Sequence, residues 1–133
     1  MMKTPVADLN ILLSTMEPLL NPGVFAFVAP AEEEVLAGIE IYSMVREAEG
    51  LSAVILEADA IALGLPILFR AAWITLNVCS DLQAVGFTAA FSKALGAAGI
   101  SCNVVAGARH DHLFVPFERG EEAVAVLRML GRQ

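Results

Sequence analysis

Both histidines of the chain lie in one short segment, His110-Asp111-His112. Side chains two residues apart point to the same side of an extended strand, so these imidazoles have a spacing that suits metal ligands. A tight turn would separate the two rings, and no cysteine or third histidine is placed to complete a coordination sphere. We therefore expect no bound metal and no cofactor. In a turn, Asp111 would satisfy backbone amides, as aspartates often do.

A second candidate site is the start of a helix predicted for residues 82–98. The first N–H groups of a helix lack partners within it and carry partial positive charge, so they can bind a carboxylate such as that of an amino acid. Gly86 would let such a ligand approach the backbone closely. The alternative is that Ser80 or Asp81 only caps the helix.

Nucleophilic catalysis has little support in the sequence. Ser80, Ser92 and Ser101 lack the GxSxG nucleophile motif. Cys79 and Cys102 have no motif-level partner and stand too far apart for a CxxC pair, although a histidine could lie near either of them in space. We expect both thiols to be reduced, buried and dispensable, and the protein not to be an enzyme.

The residues around these candidates follow the periods of short helices and strands. Leucines and Met16 recur at three- and four-residue intervals over residues 8–20, which predicts a first helix. Strands are predicted at residues 24–28, from residue 39, and at 51–56, 72–80, 100–106 and 113–115. Further helices are predicted at residues 60–63, 82–98 and 118–130.

The second half of the chain has the order strand, helix, strand, strand, helix. This is the order of a ferredoxin-like βαββαβ unit that lacks its last strand. An uncovered apolar edge invites aggregation, so the strand at residues 24–28, or another from the first half, is expected to cover it. We therefore predict an α+β fold of two interlocked modules with antiparallel sheets, residues 1–70 and 71–133.

The composition disfavours some classes of binding partner. The chain has 133 residues, of which 57% are hydrophobic and 17% charged, and its formal net charge of -7 disfavours nucleic acid and anionic membrane surfaces. The longest uncharged stretch, residues 94–108, is shorter than the roughly 18 apolar residues of a membrane-spanning helix. With no export signal visible, we expect a cytoplasmic protein. Because few charges cover the exterior, we expect apolar surface to pair two copies in a homodimer.

The run ITLNVCSDLQAVGFTAAFSKALGAAGISCNVVAGARHDHLFVP, residues 74–116, resembles the ACT domain, a small ligand-sensing module that regulates amino-acid metabolism. The matching positions are Asp81 at the end of a strand, Gly86 at the start of a helix, and Gly99-Ile100-Ser101 before the next strand. Many ACT domains have Pro-Gly directly after the acidic residue, whereas here Gly86 lies five positions beyond Asp81. The stretch HDHLFVP is similar to the hairpin of eukaryotic ACT proteins that sense arginine.

The first half carries a second resemblance. VREAEGLSAVI, residues 45–55, resembles a segment of a bacterial family of paired ACT-like modules whose role is unassigned. The similarity to this family places Glu49-Gly50-Leu51 beside the ligand groove, as the opposing wall of the site.

The resemblance implies a regulatory protein that binds an amino acid or a similar zwitterion. Asp111 then matches the hairpin acid that faces a ligand ammonium or guanidinium group. The candidate ligand-binding residues are Glu49, Gly50, Leu51, Ser80, Asp81, Val85, Gly86, Phe87, Asn103, Asp111 and His112. The alternative is a non-catalytic protein-interaction module whose ligand pocket is vestigial.

Overall fold

The computed structural model describes residues 4–132, which form four α-helices and a seven-stranded antiparallel sheet. The helices are α1 (Leu9–Thr15), α2 (Glu57–Ala62), α3 (Phe87–Ala97) and α4 (Gly120–Gly131). The strands are β1 (Pro18–Leu20), β2 (Phe25–Val28), β3 (Ser43–Glu47), β4 (Gly50–Leu56), β5 (Phe69–Leu76), β6 (Asn103–Ala106) and β7 (Asp111–Pro116). Within this part of the chain, no helix has the length and apolar character needed to cross a lipid bilayer.

Strand β5 belongs to two ferredoxin-like modules at once. The sheet order is β3-β4-β2-β5-β7-β6, and β1 also pairs with β5, on the same side as β2. In the first module β5 is the last strand, after β2, β3, β4 and α2. In the second module it is the first strand, followed by α3, β6, β7 and α4, with β1 at the sheet edge. The prediction of two interlocked antiparallel modules is confirmed, and a boundary at residue 70 falls inside the shared strand.

Two strands of the first half cover the edge that the second module leaves open. Residues 18–20 pair with residues 76–74, and residues 25–27 pair with residues 71–69. The prediction of one helix over residues 8–20 was wrong beyond Thr15. Pro18 disfavours a helical conformation at the residue before it and lacks the N–H that would continue the helix. The chain is already extended at Met16, where ψ is 137°.

The start of the third helix also differs from the prediction, for a local reason. The helix expected from residue 82 begins at Phe87. Asp81 instead organises a separate turn, in which its Oδ1 accepts a hydrogen bond from the Gln83 N–H (2.8 Å) and its carbonyl accepts one from Ala84 (2.9 Å). Gly86 then takes a left-handed conformation, φ 96°, so the helix cannot include it.

All four helices lie on one face of the sheet. The core of the second module contains Leu12, Phe91 and Leu127 from three helices together with Ile74 of β5, each fully buried. The core of the first module contains Ala26 of β2 and Ala60 of α2. The pairing of Ala26 with Arg70 puts it on the same face as Ile74, because side chains alternate along a strand.

The opposite face of the sheet is aromatic. Phe25 packs edge-on against Tyr42 and Trp73, with ring centroids 5.1 and 5.4 Å away, and Phe25 and Phe114 are each 2% exposed. Tyr42, next to the edge strand β3, lies 5.5 Å from Trp73 in β5, although β4 and β2 stand between those strands. The sheet is therefore curled, with the aromatic face on its concave side.

A shared strand predicts that the two modules unfold together. Ile74→Ala removes a fully buried side chain from β5 and should lower the free energy of unfolding by about 2–5 kcal/mol. Urea unfolding, followed by Trp73 fluorescence and by far-ultraviolet circular dichroism, should show one transition with both probes. Val45→Ala on edge strand β3, where the side chain is 58% exposed, is the control and should change stability by less than about 0.5 kcal/mol. Two separated transitions would contradict the coupling.

Cys102 should react slowly in the native protein. Both cysteines are half-buried rather than fully buried, and burial raises the pKa of the Cys102 thiol to about 11. In a Cys79→Ser variant, a thiol reagent near pH 8 should label native Cys102 about 100-fold more slowly than the denatured chain, because the thiolate is the reactive form. Equal rates in buffer and in denaturant would contradict this.

Candidate ligand site at the Ser80–Asp111 pair

Asp111 opens β7 at the end of the sheet where β5 finishes. It pairs with Leu76, the last residue of β5, and with Ala106 of β6. Its side chain is on the helix-covered face and is only 9% exposed. Its Oδ2 accepts a hydrogen bond from the Ser80 hydroxyl, 3.1 Å away. Within residues 4–132, no salt bridge includes Asp111.

The loop that carries Ser80 is held from two sides. The Val6 N–H donates to the Cys79 carbonyl (2.7 Å), and the Asp81 N–H donates to the Val6 carbonyl (2.8 Å). On the other side, His110 Nδ1 lies 3.1 Å from the Val78 carbonyl oxygen. Sequence reasoning missed Val6 completely, because nothing in its neighbourhood indicates a partner more than 70 positions away.

The start of α3 differs from the expectation. No side chain caps its first turn, so its leading N–H groups stay available, and Asp81 caps the preceding turn instead. A Cβ atom on Gly86 would lie 3.2 Å from Leu9 Cδ2, so the space beside Gly86 that was expected for a ligand is taken by a side chain of α1. Phe87 is 3% exposed and packs edge-on against Phe91. Phe87 is therefore a core residue, whereas Val85 is 84% exposed.

The Glu49-Gly50-Leu51 segment lies away from the Ser80–Asp111 pair. Glu49 lies in the turn between β3 and β4, Gly50 and Leu51 open β4, and all three line a separate cavity of about 370 Å³. This turn extends beyond the Val28 end of β2, and β2 runs antiparallel to β5, so the segment lies at the Phe69 end of β5. The expectation that it forms the opposing wall of the same site is not met.

Asn103 and His112 also stand apart from Asp111. Asn103 is exposed at the start of β6, where its amide donates to the Phe114 carbonyl (3.4 Å). His112 follows Asp111 in β7 and points to the aromatic face, because successive side chains alternate. Its Nδ1 accepts a hydrogen bond from the Trp73 indole N–H, 3.1 Å away, and lies 3.1 Å from the Thr75 hydroxyl.

These bonds explain the titration of His112. The indole N–H can only donate, so Nδ1 must accept, and the neutral ring carries its proton on Nε2. Burial lowers the pKa of His112, the nearby His110 lowers it further, and Asp111 acts in the opposite direction. The described residues contain no group of three or more His, Cys, Asp or Glu side chains able to hold a metal ion.

Acidification should therefore destabilise the fold through His112. Its folded pKa lies below the ordinary histidine value of about 6.5, so the unfolded chain binds the proton more readily. The folding stability that neutral His112 contributes above the ordinary histidine pKa is lost as the pH falls toward the folded pKa. Between about pH 7 and about pH 5, the wild type should lose more unfolding free energy than His112→Gln, whose amide oxygen still accepts the indole N–H. Identical pH slopes in the two proteins would contradict this.

Two ACT domain families match the chain, one over residues 4–72 and the other over residues 69–129. The residues that both cover, 69–72, lie at the start of the shared strand β5. No curated protein matches the chain.

Solved structures support the same assignment. A Vibrio cholerae protein, described as of unknown function and a possible transport protein, is 37% identical, with a TM-score of 0.84 over 92% of this chain and 95% of its own. The regulatory subunit of aspartate kinase from Thermus thermophilus has a TM-score of 0.63 at 13% identity, over 89% of this chain and 97% of its own. Aspartokinase III from E. coli has a TM-score of 0.66 at 12% identity, over 87% of this chain and 33% of its own. The two aspartokinase similarities show the fold alone.

ACT domains are typically regulatory modules that respond to small molecules. The two family matches together run from residue 4 to residue 129, and the sheet contains the two ferredoxin-like modules that they require. The chain therefore belongs to the ACT domain family and consists of two ACT domains interlocked through one strand.

Proposed function

We propose that the protein is a non-catalytic sensor that binds an amino acid or a similar zwitterion at the Ser80–Asp111 pair. The observation that carries the proposal is the Asp111 carboxylate. It is buried and receives a hydroxyl hydrogen bond, yet it forms no salt bridge within residues 4–132. A buried carboxylate is costly without a compensating cation, and a ligand ammonium or guanidinium group would supply one.

The carboxylate of the same ligand needs hydrogen-bond donors that carry positive rather than negative charge. The loop of residues 82–86 leads from Ser80 into α3, whose first N–H groups have no side-chain cap. These amides carry partial positive charge and bind anions well. Since Leu9 covers Gly86, the ligand would approach the loop from the side that α1 leaves open. A zwitterion would place its cationic group at Asp111 and its carboxylate at these amides.

The proposal assigns one site to each chain. Strand β4 ends at Leu56, opposite Phe25, and β7 ends at Pro116, opposite Ala71. The same number of residues before these ends, Leu51 occupies in the first module the position that Asp111 has in the second. The first module also has a short 3-10 turn, Glu33–Leu36, where the second has α3. It therefore lacks both the acid and the long helix that the proposed site uses.

The second candidate is a protein-interaction module with a vestigial pocket. The contacts of Val6 with residues 79 and 81 and of Leu9 with Gly86 favour it, because this segment covers part of the loop that a ligand would use. In either case we propose a cytoplasmic homodimer, with modules divided near residue 70 in the shared strand. The two candidates differ in whether a free amino acid stabilises the protein.

Ligand binding can be tested by thermal shift and calorimetry. Screening the individual amino acids should identify at least one that raises the melting temperature, since a ligand that binds only the folded form stabilises it. Titration of that amino acid into Asp111→Asn should show binding about 10- to 150-fold weaker than to the wild type, the range expected for the loss of a hydrogen bond to a charged group.

The matched control is Asp59→Asn in α2, which removes the same charge from the first module and should leave affinity unchanged. If no amino acid shifts the melting temperature, the interaction-module candidate is favoured. If one binds wild type and Asp111→Asn equally well, the site lies elsewhere on the protein.

A further inference from the structure

The two residues of the proposed ligand site are almost closed off from solvent. Ser80 is 7% exposed and Asp111 is 9% exposed. The Ser80 hydroxyl also occupies one oxygen of the Asp111 carboxylate, at 3.1 Å. An amino acid therefore cannot bring its cationic group to this carboxylate unless a neighbouring segment moves.

The backbone beside Ser80 is tied to the segment that precedes α1. Val6 donates to the Cys79 carbonyl (2.7 Å) and accepts from the Asp81 N–H (2.8 Å), so its two hydrogen bonds hold the backbone on both sides of Ser80. The pairing is an isolated bridge that does not continue into a ladder within the described residues. We refer to residues 4–8 as the strap.

The strap is weakly anchored compared with the other segments around the site. Apart from the half-buried Val6, its residues are exposed, and the Asp8 side chain only caps α1. By contrast, β7 and α3 contain fully buried side chains such as Leu113 and Phe91. Two backbone hydrogen bonds add little net stability, because water replaces both when a surface segment detaches. Opening of the strap is therefore the least costly movement that frees residues 79–81.

The beginning of the same loop is held independently of the strap. His110 Nδ1 lies 3.1 Å from the Val78 carbonyl oxygen, and the Asn77 N–H donates to the Glu17 carbonyl (2.8 Å). Neither contact includes a strap residue. When the strap detaches, residues 79–81 can therefore turn about Val78 while β5 keeps its place in the sheet.

We propose that the strap is a gate for the amino-acid site: closed, it holds Ser80 on Asp111, and open, it lets the cationic group of an amino acid replace the Ser80 hydroxyl. This gate rests on the function proposed above. Since closure and binding exclude each other, an amino acid that binds releases the strap, and the closed population lowers the apparent affinity. A non-catalytic sensor thereby converts occupancy of its site into a change at its surface.

Hydrogen exchange measures the gate directly. Without added amino acid, the Val6 and Asp81 amides should share one opening equilibrium and exchange at least about tenfold faster than the amides of β7, which lies between β5 and β6. The standard amino acids are then added singly, and the one with the largest thermal shift is used at saturation. It should speed exchange of the Val6 amide although it slows exchange in the core.

Removal of one strap hydrogen bond should tighten binding. Val6→Pro lacks the N–H that donates to Cys79, so the open population rises. Calorimetry should give an affinity for the same amino acid about 3- to 10-fold tighter than that of the wild type, the range for one net hydrogen bond. Thr4→Pro is the matched control, because within residues 4–132 the Thr4 N–H donates no hydrogen bond, and its affinity should equal that of the wild type. A general loss of stability would not tighten binding.

The outcomes separate the gate from the site. An affinity of Val6→Pro that is equal to or weaker than that of the wild type overturns the gate alone, as does equal tightening by Thr4→Pro. So does a Val6 amide that is as protected as β7 or that exchanges more slowly when the amino acid binds. Binding to Val6→Pro but not to the wild type supports a gate that is mostly closed. If no standard amino acid binds either protein, the proposed function is overturned and the gate with it.

Discussion

Strand β5 is paired along both of its sides, and the rest of the structure depends on this. Strand β7 pairs with residues 71–76 on one side, while β2 and β1 pair in succession with residues 69–71 and 74–76 on the other. Each module needs this strand to complete its four-stranded sheet. Neither half of the chain can therefore close its core without the other, which is why the two ACT domains overlap in sequence at residues 69–72.

The two ends of β5 have different surroundings. Near its beginning, Arg70 forms ion pairs with Glu57 of α2 at 2.6 Å and with Glu118 before α4 at 3.0 Å, and so connects helical elements of both modules. These groups are partly exposed, so the connection adds little stability beyond orientation. Beyond the other end of β5, the loop delivers Ser80 to Asp111. One strand thus links the junction of the modules to the candidate site.

Alternation along β7 separates two neighbouring polar residues. Asp111 points to the helix-covered face and meets Ser80, whereas His112 points to the aromatic face and accepts the Trp73 N–H. The histidine stays neutral more readily because burial lowers its pKa. One residue of the HDH segment therefore belongs to the proposed ligand site, and the other packs on the concave face of the sheet.

The sequence by itself determined the family, the α+β class and most elements of the second half, because apolar spacing and glycine positions are local signals that each segment carries alone. It also identified Asp111 and Ser80 as candidates, but not their contact. Only the tertiary structure decided that Pro18–Leu20 is a strand, since the leucine spacing continues through it and pairing with β5 supplies the hydrogen bonds that a helix would have made. The tertiary structure also decided that Glu49-Gly50-Leu51 lies at the far end of β5, and that Val6 and Leu9 cover the loop before α3. These are contacts between distant segments, whose partners are chosen by the closure of the whole sheet and not by the residues next to them in the chain.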